Sequence, residues 1–228
     1  MAGLPSGRSG KNWYIDCVRS PSNAVFSPTD VRFQSVEMVV SKNWIDVGNG
    51  TFEVTGVPDV GAILYMQGAD NSGTNKNSNP GLERGSQSTI RFQDVFVYSE
   101  NGWIDVVGGA GSGEGAAIVW NSAERTARDT CPETIGALPP PGCFAPLALW
   151  SNSRHEHRLG GNAAMDVRGI FFTPNSSPFT LSGQVPQVLD AAQFFSHSFN
   201  ISGQARIIMR PDPAFNDPTP IGGSGLIR

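Results

Sequence analysis

The chain carries little charge. Charged residues make up 16% of its 228 residues, against about 25% in an average globular protein. The formal net charge is −4, so the sequence has no positive excess that would attract nucleic acid or anionic lipid. We therefore expect no nucleic-acid partner.

Long apolar runs are also lacking. No run approaches the ~20 residues that an α-helix needs to cross a membrane. The opening residues MAGLPSGR lack the apolar segment of a secretory signal. Two interpretations remain: a cytoplasmic protein, or an extracytoplasmic one whose N-terminal export segment or membrane anchor is lost.

Cysteine is scarce, with 3 residues in the chain. Cys131 and Cys143 flank the stiff Pro-Pro-Pro-Gly stretch 139–142, and a disulfide across such a loop contributes about 3 kcal/mol by closure entropy. A bridge implies an oxidising compartment. A bridge would leave Cys17 over, and the alternative is two unrelated buried thiols.

Turn-forming residues are abundant, with 27 glycines and 17 prolines, which is typical of many short strands. Among them the sequence repeats itself. VRFQSV at 31–36 returns as IRFQDV at 90–95, and WIDV at 44–47 returns at 103–106, both 59 residues later. YIDCV at 14–18 and AMDV at 164–167 resemble the WIDV copies.

A tighter repeat lies near the C-terminus, where FTLSGQ at 179–184 returns as FNISGQ at 199–204, 20 residues later. About 20 residues is one coil of a β-helix, and stacked coils place identical positions in ladders. The sequence therefore predicts an all-β, right-handed parallel β-helix (β-solenoid) with surface loop insertions, and a 59-residue repeat spanning about three coils. The alternative is a β-sandwich with chance resemblance between strands.

Strand alternation assigns the faces of this β-helix. The residues expected inside are Phe52, Val54, Phe179, Leu181, Phe199 and Ile201. Those expected outside are Glu53, Thr55, Thr180, Ser182, Asn200 and Ser202. The one stretch whose sequence suggests a short helix is 190–195. The predicted β-solenoid domain covers 1–210, with loop insertions near 68–88, 108–115 and 121–146, and a Pro/Gly-rich tail covers 211–228.

The aspartates of the repeats are candidate calcium ligands. Asp46, Asp105 and Asp166, together with Asp16, occupy similar strand contexts, and stacked outward carboxylates suit Ca²⁺, which takes six to eight oxygens. The alternative, which we favour, is simple solvation or acceptance of N–H groups at turns. His155 and His157 are two residues apart and are flanked by Arg154 and Arg158. On a strand their side chains would project to one face and could supply two of the ligands of a zinc ion, but we favour a solvated polar turn.

Trp44-Ile45-Asp46 and Trp103-Ile104-Asp105 resemble the W-I-D-H motif of pectate lyases, which are polysaccharide-cleaving parallel β-helices. The position of the family's histidine is taken by Val47 and Val106, and 206–211 does not have the R-x-P-x-x-R spacing of the family's catalytic arginine. The sequence therefore assigns no catalytic residue, no metal site and no cofactor.

A second resemblance concerns 166–176, DVRGIFFTPNS, followed by FTLSG at 179–183. This stretch resembles a segment of TadE/TadG-like Flp pilus-assembly proteins. The stretches at 61–65, 147–150 and 207–209 agree in order. The resemblance implies a β-rich, extracytoplasmic protein of the bacterial cell envelope, although the membrane helix of that family is missing here.

Together these features predict a non-enzymatic structural or adhesive module, pilus- or envelope-associated, at the bacterial cell surface or secreted. Its expected partners are other envelope or pilus proteins, or glycans. The alternative is a carbohydrate-active β-helix enzyme, similar to polysaccharide lyases, or a glycan-binding module. A groove lined by several carboxylates and basic residues would favour the enzyme.

Overall fold

The structure is a computed structural model that describes residues 12–15, 25–26, 30–42, 44–48, 50–67, 81–84, 88–108, 118–124, 141–161, 165–183, 187–203 and 207–210. The described part is almost entirely β-strand. A turn of 3₁₀ helix at Pro141–Phe144 is the exception. No helix within these ranges is long and apolar enough to cross a membrane.

The strands follow one another at short intervals. They are β1 (Asn12–Ile15), β2 (Val25–Phe26), β3 (Val31–Val36), β4 (Met38–Ser41), β5 (Trp44–Val47), β6 (Thr51–Gly56), β7 (Ala62–Met66), β8 (Leu82–Arg84), β9 (Thr89–Gln93), β10 (Val95–Ser99), β11 (Ile104–Gly108), β12 (Ile118–Asn121), β13 (Leu147–Ser151), β14 (His157–Gly161), β15 (Met165–Thr173), β16 (Phe179–Gly183), β17 (Gln187–Asp190), β18 (Ala192–Ser196), β19 (Phe199–Gly203) and β20 (Ile207–Arg210).

Every strand-to-strand pairing in the sheets is parallel, and over most of the chain a strand pairs with the third strand after it. One sheet of seven strands has the order β19-β16-β14-β11-β8-β5-β2. A sheet of eleven strands has the order β1-β4-β7-β10-β13-β15-β12-β9-β6-β3, with β18 also paired to β15. Strands β17 and β20 form a separate pair.

The predicted right-handed parallel β-helix is wrong for this structure. Ten parallel strands belong to one sheet that is nearly closed into a barrel. The strand that unites them is β15, whose first half pairs with β12 and whose second half pairs with β13. The two ends of the sheet, β1 and β3, come together through Trp13 and Phe33, whose ring centroids are 5.5 Å apart.

The repeats do mark equivalent positions. Phe33 and Phe92 both pair with Val54, from its two sides, and Ile45 and Ile104 both pair with Leu82 in the same way. The 59-residue repeat therefore spans two strand spacings and not the three that we predicted. The 20-residue repeat joins direct neighbours, since β16 pairs with β19 in full register.

The predicted inward faces are confirmed except at the last strand of the seven-stranded sheet. Phe52, Val54, Phe179 and Leu181 are fully buried. In β19, however, Phe199 is 41% and Ile201 is 54% exposed, because no further strand pairs beyond β19 in the described chain. Among the residues expected outside, one is wrong: Thr180 is buried, and its hydroxyl donates to Glu156 Oε1 at 2.8 Å.

Residues with positive φ mark sharp bends between or within strands. Asp94, between β9 and β10, and Ala191, before β18, have positive φ, as does Gly169 within β15. At Gly169 a Cβ would come within 2.3 Å of the Ser122 hydroxyl and 2.7 Å of the Pro146 carbonyl oxygen. Only glycine fits this bend, because it combines φ near +104° with a close backbone approach.

Aromatic rings run through the interior from strand to strand. Phe33, Phe52, Phe92, Trp120 and Phe171 follow one another with centroid distances of 5.2–6.3 Å, mostly edge to face. The indole N–H of Trp120 donates to the Ala148 carbonyl at 3.1 Å. Both sheets contribute to this core, so they enclose one apolar interior.

Some predictions fall outside the described residues. Cys17, Cys131, most of the insertions and the whole tail 211–228 are among these. Cys143 is disulfide-bonded, but its predicted partner Cys131 is not described. The short helix indicated over 190–195 is wrong: β17 ends at Asp190 and β18 covers Ala192–Ser196.

Candidate functional site

Aromatic side chains form a row on the outer face of the large sheet. The register places Tyr65 opposite Tyr98, Tyr98 opposite Trp150, Trp150 opposite Phe172, and Phe172 opposite Phe195. We call these five residues the aromatic row. Val40 and then the 52%-exposed Tyr14 continue the line toward the N-terminus.

Every ring of the aromatic row touches the next. Tyr65 and Tyr98 are stacked with centroids 5.4 Å apart, and Trp150 lies 5.3 Å from Phe172. The remaining distances, Tyr98 to Trp150 and Phe172 to Phe195, are 6.5 and 6.2 Å. Trp150 and Phe195 are 37% and 41% exposed. Contiguous exposed apolar surface on a protein commonly marks a contact site.

Polar groups border the row where its strands end. Gln67, Glu100, Asn152 and Asn175 each lie just beyond a strand that contributes a ring; with Asn101 we call them the polar edge. The Tyr65 hydroxyl donates to Glu100 Oε2 at 2.5 Å, and the Trp150 indole N–H donates to Asn152 Oδ1 at 3.3 Å. The hydrogen bond to Glu100, with burial, raises the pKa of Tyr65 to about 12.

The opposite side of the row is bounded by the 3₁₀ turn. The ring of Phe144 stacks on Phe96 with a centroid distance of 4.7 Å and an interplanar angle of 18°. Phe96 occupies the outward position next to Tyr98 on β10, yet it is only 5% exposed. Phe144 therefore covers the sheet beside the row, and the exposed aromatic strip is one ring wide.

The seven-stranded sheet carries a second row, which is acidic. Asp46 pairs with Glu83, Glu83 with Asp105, and Asp105 with Arg158, and we call these four residues the acidic row. Arg158 forms a hydrogen-bonded ion pair with Asp105. Burial, and then the charges of Asp46 and Asp105, raise the pKa of Glu83, while Arg158 opposes the rise.

The aspartates proposed as calcium ligands do not converge. Asp46 and Asp105 lie two strands apart with Glu83 between them. Asp166 is on β15 of the other sheet, where Asn121 and Arg168 contact it, and Asp16 lies outside the described residues. Within the described ranges, no group of three or more His, Cys, Asp and Glu side chains is placed to hold a metal ion.

The histidine pair has a different environment from the solvated turn that we predicted. His157 begins β14 and is fully buried, and its Nδ1 accepts the N–H of Ile104 at 3.0 Å. Burial lowers the pKa of His157 to about 3, against a smaller opposing effect of the Ser153 backbone. His155 is half-buried and packs on Trp103 at 4.5 Å, so the two imidazoles serve different contacts.

Sequence reasoning missed the aromatic row, although its signal is present. Leu64-Tyr65, Val97-Tyr98, Leu149-Trp150 and Phe171-Phe172 each place an aromatic residue directly after a buried one. Three of these stretches, in 61–65, 147–150 and 166–176, were noted only for their resemblance to pilus-assembly proteins. Their shared position on one outer face depends on the pairing register, which the resemblance did not supply.

Comparison of the chain with protein-family models, curated proteins and solved structures finds no match. The resemblances to TadE/TadG-like proteins and to pectate lyases therefore stand on the quoted motifs alone.

His157 makes the stability of the fold depend on pH. Because its pKa falls from 6.5 in the unfolded chain to about 3 in the fold, the unfolded state binds the extra proton between these values. We expect the contribution of the neutral His157 to the free energy of unfolding to be fully present above pH 6.5. As the pH falls from 6.5 toward 3, this contribution decreases by at most about 1.4 kcal/mol per pH unit.

The measurement is urea unfolding at several pH values of wild type and of His157→Phe, with the exposed His197→Gln as the control. His157→Phe is less stable at pH 7, because the Ile104 N–H loses its acceptor, but its disadvantage shrinks as the pH falls. A disadvantage that stays constant from pH 7 to pH 4 would contradict the buried neutral imidazole.

Proposed function

We propose that this protein is a non-enzymatic adhesive module of the bacterial cell surface, and that the aromatic row is its contact surface. The observation that carries the proposal is the unbroken line of touching rings on one outer face. Tyrosine and tryptophan are enriched where proteins make tight contacts, since each combines a large apolar area with a polar atom.

The parallel sheet supports this role mechanically. Each ring is fixed on a strand that is hydrogen-bonded on both sides or, for Phe195 on β18, on one side. A row held in this way needs little ordering when it binds, so little conformational entropy is lost. Buried apolar side chains on the other face of the same strands support it, namely Leu64, Val97, Leu149 and Phe171.

The disulfide at Cys143 favours an extracytoplasmic location. Disulfides persist in oxidising compartments and are rare in the reducing cytosol, and Cys143 is disulfide-bonded. The bridge also tethers the 3₁₀ turn that carries Phe144 beside the aromatic row. Association with a pilus, as the TadE/TadG resemblance implies, is part of the proposal but rests on sequence motifs only.

Replacing a ring of the row tests this function. Trp150→Ala removes the most polar of the exposed rings, and we expect it to weaken binding of the protein to immobilised bacterial envelope fragments about tenfold or more, as for a central contact residue. Phe199→Ala is the control, because Phe199 is as exposed as Phe195 but lies on the other sheet. Equal binding by wild type and Trp150→Ala would refute the aromatic row as the contact surface.

One observation favours a second function, a lyase for acidic polysaccharides. The acidic row combines three neighbouring carboxylates with an arginine, and β-elimination needs a base to remove the proton beside a uronate carboxylate and a cation to stabilise the charge that forms. Arg158, however, is already paired with Asp105. We therefore rank this function second.

An assay for unsaturated uronate decides between the two functions. Purified protein incubated with polygalacturonate or alginate is expected to produce no ultraviolet-absorbing product. Turnover that saturates with substrate and disappears in Glu83→Gln would instead establish the enzyme, because burial and the charges of Asp46 and Asp105 raise the pKa of Glu83 and so make its carboxylate a stronger base.

A further inference from the structure

We propose that the ligand of the aromatic row is a linear, neutral polysaccharide of pyranose sugars, bound along the row with its sugar rings over successive side chains. This inference rests on the proposed adhesive function and names the ligand for the same surface. Three features of the row lead to it: its width, its periodicity and the charge of its border.

The width of the strip suits a single chain of sugars. Phe144 covers the sheet on one side of the row, and the strands end at the polar edge on the other. A globular protein partner needs a broad patch, about 800 Å² on each side of a standard interface. A strip one ring wide instead matches a linear polymer that is itself one ring wide.

The periodicity also matches a polymer. Consecutive rings of the row are 5.3–6.5 Å apart, centroid to centroid, because neighbouring strands in a sheet are about 4.8 Å apart. This distance is close to the length of one pyranose unit in an extended chain. The C–H groups of a sugar are weakly positive and pack favourably against aromatic rings.

The polar edge supplies hydrogen bonds without basic side chains. A pyranose bound on its face turns its hydroxyls outward, toward the amide groups of Gln67, Asn101 and Asn152, which both donate and accept. Glu100 is the one charged side chain of the polar edge and already accepts the Tyr65 hydroxyl, and none of the five residues of the polar edge is basic. A neutral glycan is therefore favoured over a polyanion, for which an excess of basic side chains is expected.

Affinity electrophoresis in native gels tests the inference, with hydroxyethyl cellulose as the neutral probe and polygalacturonate as the acidic one. We expect the neutral polymer to retard wild type and Phe199→Ala equally, and Trp150→Ala and Tyr98→Ala about tenfold less. Trp150→Phe keeps an aromatic ring at this position and therefore serves as the conservative variant. We expect the neutral polymer to retard it to an intermediate extent. No retardation by the neutral polymer, or stronger retardation by polygalacturonate, overturns the inference.

Treatment of the envelope fragments separates this inference from the proposed function. Periodate cleaves the diols of sugars, whereas protease digests proteins. Loss of Trp150-dependent binding after periodate but not after protease supports a glycan. Loss after protease only means that the row binds a protein, so the glycan inference falls and the adhesive function stands. Binding that never depends on Trp150 refutes both.

Discussion

In-register parallel pairing is the constraint on which the rest of this structure depends. Strands three apart in the chain lie side by side, so one position in each strand becomes a line of side chains across the sheet. The same pairing that aligns Val39, Leu64 and Val97 inside aligns Val40, Tyr65 and Tyr98 outside. Core and surface are therefore not independent, and a shift of register by one residue would exchange them.

This constraint explains how a chain with little charge forms both an apolar interior and a specific surface. The interior rings from Phe33 to Phe171 interlock edge to face, while outside the rings of the aromatic row remain partly open to solvent. On the other sheet, pairing brings Asp46, Glu83 and Asp105 together, although burial and then their mutual repulsion raise the pKa of Glu83. Arg158 offsets part of that cost.

Much of the strand arrangement could be predicted from the sequence, and its failures have physical causes. The repeats identified Ile45 and Ile104 as equivalent buried positions, because packing against a shared neighbour imposes the same residue type. They gave the wrong number of strand spacings, because paired positions are 21 residues apart from Phe33 to Val54 but 38 residues apart from Val54 to Phe92, so the 20-residue interval does not hold throughout the chain. The aspartates of 14–18 and 164–167 looked equivalent to Asp46, but β1 and β15 belong to the other sheet.

The sheet closure and the candidate site were harder to foresee. The closure depends on β15, a nine-residue strand that bends at Gly169 and pairs on both sides of the bend, and a local motif does not report its partners. The burial of His157 depends on its neighbours Ile104 and Phe179 in adjacent strands, while its sequence context, between charged residues, indicates a turn. The aromatic row is likewise a property of register and not of any single strand.

A crystal structure of the protein with cellohexaose tests the central claim most directly, because it reports the strand register and the contact surface together. We expect the sugar chain to lie along Tyr98 and Trp150, about one unit for each strand, with hydroxyls facing Asn101 and Asn152. An oligosaccharide bound over the acidic row, or an experimental register in which Tyr98 and Trp150 are not opposite each other, would contradict it.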